Sequence, residues 1–170
     1  MVSHLENLEH LEFSSKEDVI DYVGCYNCVK VIEKNIKMED IVSYFIKSII
    51  DNNDIEYTDS FPFITDYCYD FTDYEFSIIQ NKFCECSYFA YIFAKKVKRA
   101  DVNYCFTSCV NLLKTTNGTG VILDIIRFIK NVPDLNFDLV KDLVSYLKSI
   151  NFDNGYIKKI NEYIIESAIG

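Results

Sequence analysis

After Asp101 the chain runs Val102-Asn103-Tyr104-Cys105-Phe106-Thr107-Ser108-Cys109-Val110-Asn111-Leu112-Leu113 without one charged side chain. The pattern predicts a mostly apolar helix over 101–115, entered from the basic turn Lys98-Arg99 and capped by Asp101. A helix that is apolar on most faces is stable only where neighbours cover it. The chain is therefore expected to be an all-α bundle with 101–115 as its most buried element.

The flanking segments supply those neighbours. Ser14 and Glu17 form a capping-box signature ahead of a helix over about 15–35. Ile41, Val42, Phe45, Ile46, Ile49 and Ile50 keep the helical period over about 38–52. Residues 54–73 are aromatic and acidic, with Pro62 among them, and predict a loop carrying one or two helical turns. Phe76, Ile79, Phe83, Phe89 and Val97 mark a helical stretch over about 74–98. Thr116-Asn117-Gly118-Thr119-Gly120 breaks the chain. Helices then follow over 120–131, about 134–149 and 156–168, separated by Pro133 and by Asp153-Asn154-Gly155. The chain shows no internal repeat. A single domain over 1–170 is the expectation, because 170 residues suffice to bury one core.

Composition removes several function classes. Five Gly and two Pro are too few for a turn-rich β-fold. A net charge of −9 argues against a nucleic-acid partner, which needs clustered cations. The run Lys95-Lys96-Val97-Lys98-Arg99 reads as a solvated helix end that complements the helix dipole, rather than as an anion site. No apolar run of 18 residues is present to span a membrane.

The seven cysteines are an odd number and fall inside apolar helical patterns, so free, buried thiols are expected. Cys25-Tyr26-Asn27-Cys28 has zinc half-site spacing. The other close pair, Cys84-Glu85-Cys86, does not, so no metal and no cofactor is expected. His4 and His10 are the only histidines, and no paired-carboxylate or Gly-rich phosphate signature occurs. An enzyme is therefore not expected.

About seven to eight helices wrapped around one apolar helix two-thirds along the chain resembles the Bcl-2 fold. That family's hallmark, at the start of its central helix, is an Asn-Trp-Gly-Arg run preceded by Val. Here Val102-Asn103-Tyr104-Cys105-Phe106 stands in that place: Val and Asn match, Tyr104 keeps the aromatic character, and Cys105 and Phe106 replace Gly and Arg. The Ile-, Asn-, Asp-, Lys- and Tyr-rich composition is similar to that of AT-rich viral genomes, and poxviral Bcl-2-like proteins commonly lack the full hallmark.

The resemblance implies an inhibitor of host apoptosis that takes BH3 helices of pro-death proteins into an apolar groove. Projected onto this chain, that groove is lined by Phe89, Phe93, Val97, Asn103, Phe106, Cys109 and Leu113. Phe106 cannot make the Arg–Asp pair of the family, so apolar burial would carry the binding. The alternative within the same resemblance is an inhibitor of innate signalling that binds host adaptor proteins through outer surfaces. Either reading places the protein in the host cytoplasm, with mitochondrial association if a hydrophobic tail follows. The many Tyr and Phe residues leave room for a homodimer.

Overall fold

In the computed structural model, which describes Ile46 and residues 64–169, every regular element is an α-helix and no strand occurs among the described residues. The chain divides into two units, Met1–Lys82 and Phe83–Gly170. The helices predicted over 15–35 and 38–52 lie outside the described residues, apart from Ile46, which is helical and buried.

In the first unit, a helical turn at 64–67 leads to α1, Asp73–Phe83. Thr72 starts α1: its Oγ1 accepts from Glu75 N at 3.2 Å, and its carbonyl accepts from Phe76 N at 2.9 Å. Ile64, Cys68, Phe71, Phe76 and Ile79 are all buried. The turn at 64–67 falls in the segment expected to be a loop with helical turns, of which residues 54–63 lie outside the described residues.

The expected helix over 74–98 is two helices. The chain leaves α1 at Phe83, turns through Cys84–Cys86 with Cys86 extended, and enters α2, Ser87–Lys96. The physical reason is the Phe83 ring. It lies 5.3 Å from Phe93 and meets Phe89 edge-on at 6.4 Å, a packing that needs the chain to bend between them.

The second unit continues through α3 (Val102–Thr116), α4 (Thr119–Asn131), α5 (Phe137–Ser149) and α6 (Asn154–Ile169). Asp101 caps α3 as expected, its Oδ1 accepting from Tyr104 N at 3.0 Å. Asn117 ends α3 in the left-handed region (φ 49°), where Asn is among the better-tolerated non-glycine residues. Two residues then suffice to turn the chain into α4. Asn136 caps α5, accepting from Asp138 N at 3.0 Å.

These four helices form two stacked hairpins. Within each, the members pack on one another, α3 on α4 and α5 on α6. Between them α3 packs on α5 and α4 on α6, while α2 packs on both α3 and α4. The hairpins share one spacing: α3 and α5 begin at Val102 and Phe137, α4 and α6 at Thr119 and Asn154, 35 positions apart in each case. Core positions correspond at the same offset: Cys105 with Val140, Cys109 with Val144, Ile122 with Ile157, and Ile125 with Ile160, all buried. The expectation of no repeat is thus corrected at the level of structure. Hydrophobic character is shared, and identity is kept at Leu112/Leu147, Gly120/Gly155, Ile122/Ile157, Ile125/Ile160 and Ile129/Ile164.

The expectation that 101–115 is the most buried element is also corrected. Cys105, Phe106, Cys109 and Leu113 of α3 are buried, whereas Asn103, Tyr104, Thr107 and Asn111 are exposed. Uncharged polar side chains occupy its outer face, so the absence of charge did not mean the absence of a solvated side. α4 is the better covered helix, burying Ile122, Asp124, Ile125, Ile126, Phe128 and Ile129. Phe128 anchors it, with its ring 5.4 Å from Phe106 and 6.3 Å from Tyr91. Fully burying one such side chain contributes about 1.5–3 kcal/mol.

Candidate functional site

The seven residues projected as a groove do not share an open surface. Phe93, Val97, Phe106, Cys109 and Leu113 are each at most 2 % exposed. They belong to the core of the second unit. Phe89 is half-buried, on the rim of the Phe83 cluster. Asn103 is exposed, and its Oδ1 accepts from Asn136 N at 2.9 Å, tying the start of α3 to the cap of α5. Its polar group therefore has a structural partner.

An open cleft does exist, on the other side of Phe106, between α3 and α5. It holds about 180 Å³. Phe106 and Leu143 form a buried apolar floor, and Val110 and Leu139 form half-buried walls. Thr107, Asn111, Lys114, Asp142 and Tyr146 complete the lining. Lys114 Nζ stands 5.0 Å from the centre of the Tyr146 ring, a cation–π pair at one edge. Such a cleft is large enough for one or two inserted apolar side chains, with polar groups around them to fix orientation. Sequence reasoning had found Phe106 but not its neighbours. The cleft depends on which face of α5 meets α3, and only the 35-residue offset of the hairpins could have shown that.

Two further clusters lie beneath the surface. Ser87 Oγ donates to Asp124 Oδ2 at 2.6 Å, and Arg127 Nη1 pairs with Asp124 Oδ1 at 3.0 Å. Asp124 is 8 % exposed, and its two oxygens are both satisfied, as a buried carboxylate requires. Close by, Cys109 Sγ donates to the Ser87 carbonyl at 3.6 Å, and Cys84 Sγ stands 3.7 Å from Cys105 Sγ. Burial keeps the Cys109 thiol protonated well above its ordinary range. Cys105 is pushed up too, first by its hydrogen bond to Cys84 and then by burial. The same bond draws Cys84 the other way, below its ordinary value against the effect of burial, with help from Ser108.

The described cysteines, Cys68, Cys84, Cys86, Cys105 and Cys109, are all free thiols, and the described residues hold no group of three metal-ligating side chains. Cys25, Cys28, His4 and His10 lie outside the described residues. No described helix is long and apolar enough to cross a membrane. Comparison with protein-family models, curated proteins and solved structures gives no match to this chain. The arrangement is thus read from its own chemistry: an apolar floor with a polar border, open to solvent.

Proposed function

We propose that this chain is a non-enzymatic protein-binding domain, and that the cleft between α3 and α5 is where a partner docks. The observation that carries this reading is the open pair of apolar walls, Val110 and Leu139, over the buried floor of Phe106 and Leu143. In the setting that the Bcl-2-like resemblance implies, the protein is a viral, host-directed inhibitor. Of its two forms, the one that binds innate-signalling adaptors in the host cytoplasm is the better supported. Five of the seven residues that would line a BH3 groove are core, which favours a partner that meets an outer surface.

The BH3 reading keeps one point in its favour. Phe106, at the place of the family's Arg, borders the cleft, and Lys114 stands at the cleft's edge, able to meet the Asp of a BH3 peptide.

The experiment is a binding comparison by calorimetry, with purified adaptor proteins on one side and BH3 peptides on the other. Heat with an adaptor, lost when Val110→Arg or Leu139→Arg blocks the cleft, is the expected result. Both positions are half-buried, so circular dichroism should show the variants folded. Binding of BH3 peptides alone, abolished by the same substitutions, would move the function to apoptosis inhibition. Adaptor binding that survives both substitutions would place the docking surface elsewhere.

A further inference from the structure

Cys84 and Cys105 come from different segments, 21 positions apart, yet their sulfurs stand 3.7 Å apart in the core of the second unit. Cys84 is 6 % exposed and Cys105 is fully buried. A disulfide needs an S–S distance of about 2.03–2.05 Å, so the two sulfurs must close by roughly 1.7 Å. The surroundings allow this. Cys84 is not in a helix but in the short turn between α1 and α2, where Cys86 N meets Phe83 O at 3.4 Å and Cys86 O accepts from Ala90 N at 2.9 Å. Cys105 is in the first turn of α3, the end of a helix that frays most easily. One partner sits in a turn and the other near a helix end, so side-chain rotation with a small turn adjustment brings them together.

We propose that Cys84 and Cys105 are a modification site, a thiol pair that closes to a reversible disulfide when the protein meets hydrogen peroxide. Two other pairings among the described cysteines are poorly placed. Cys84 and Cys86 are separated by one residue, too short a link for ordinary disulfide geometry. Cys105 and Cys109 are on consecutive turns of one helix, and Cys109 already donates to the Ser87 carbonyl.

The roles follow from the environments. Cys84 is the attacking sulfur, since it is the member of the pair that reaches the surface while Cys105 is fully buried, and its thiol is drawn below its ordinary value. It gives up its proton to water and attacks one oxygen of the peroxide. The O–O bond breaks, Cys84 becomes a sulfenic acid, and the departing hydroxide takes a proton to leave as water. Cys105 then attacks the Cys84 sulfur. The S–O bond breaks, and the second oxygen leaves as water with the Cys105 proton. Two thiols lose two electrons in total, and one peroxide is reduced to two waters. Peroxide is small enough to reach a thiol that is only 6 % exposed, and a dithiol reductant reverses the bond.

The test uses the whole folded protein. It is treated with hydrogen peroxide, its remaining thiols are alkylated, and it is digested with a glutamate-specific protease and chymotrypsin. These cut after Glu85 and Phe106, which separates Cys84 from Cys86 and Cys105 from Cys109. Mass spectrometry is expected to find a peptide that joins Cys84 to Cys105 and disappears on dithiothreitol treatment. In Cys105→Ser, Cys84 should instead accumulate as a sulfenic acid that dimedone traps. Cys86→Ser should leave the linked peptide in place. Cys84 and Cys105 both recovered as alkylated thiols, under peroxide that oxidises the exposed Cys86, would overturn the proposal. So would a dominant link from either one to another cysteine. The wild-type map decides the matter even if a serine variant fails to fold.

Discussion

The two hairpins of the second unit share a spacing and differ in how much they are covered. α3 and α4 are packed by α2 on one side and by α5 and α6 on the other. They bury Phe106, Leu113, Ile126 and Phe128, where the residues 35 positions on, Lys141, Lys148, Asn161 and Tyr163, are exposed or only half-buried. The backbone plan is thus set by features common to both hairpins. Each first helix has a polar cap (Asp101, Asn136), each hairpin turn has an Asn with positive φ (Asn117, Asn151), and matched apolar pairs fill the centre. The side chains outside that common set record the neighbourhood. Apolar residues appear where another helix is to be met, and lysines where water is.

The comparison breaks most directly at Phe128. Replacing it by Ala should destabilise the protein by about 3–5 kcal/mol in urea unfolding, since a buried aromatic with two ring partners is lost. The corresponding Tyr163→Ala should cost far less, because Tyr163 is only half-buried. Equal losses would mean that the second hairpin is covered as fully as the first. Ile125→Ala and Ile160→Ala sharpen the shared part: both side chains are fully buried, so both should cost about 2–5 kcal/mol and by similar amounts.

Asp124→Ala is next in size. It strands the buried Ser87 hydroxyl, and a loss of about 1–3 kcal/mol is expected by the same measurement. The position 35 residues on is the exposed Lys159, whose change to Ala should stay within about 0.5 kcal/mol. A costly Lys159→Ala would show that the second hairpin has a polar anchor of its own.

The smallest effect is in pH. Burial raises the Cys109 thiol in the first hairpin, so the native state holds a proton there that the unfolded chain loses above about pH 8.5. The stability it contributes is complete below that pH and declines as pH rises beyond it. Its counterpart, Val144, does not titrate. Melting temperatures from pH 7 to 10 should therefore fall, and Cys109→Ala, whatever it does at neutral pH, should flatten the slope. An unchanged slope would remove Cys109 from the account.

Much of this plan could be read from the sequence, and the failures have physical causes. The bounds of α3 to α6 follow from capping and punctuation: Asp101 before α3, Asn117-Gly118 after it, Pro133 beyond α4, and Asn154-Gly155 opening α6. Local chemistry fixes such ends, and it is visible in one dimension. The break at Cys84–Cys86 carries no Gly or Pro and was set by where the Phe83 ring packs, which is tertiary. α3 is not the most buried helix because Asn103, Thr107 and Asn111 are polar without being charged, so a stretch free of charge still has a solvated face. Among the groove residues, apolar character was legible but side was not: Phe93 and Leu113 turn inward, and only Phe106 borders the open cleft.

The order of contacts in the second unit also bears on how it assembles. Each helix from α2 to α6 touches the next one or two along the chain, and the longest of these reaches joins α4 to α6. Little loop entropy is spent before a contact forms, so this unit belongs with proteins that collapse quickly. The three helices α2, α3 and α4 all pack on one another, whereas α5 and α6 each pack chiefly on one of them; amide exchange should therefore be fastest in the carboxyl-terminal pair.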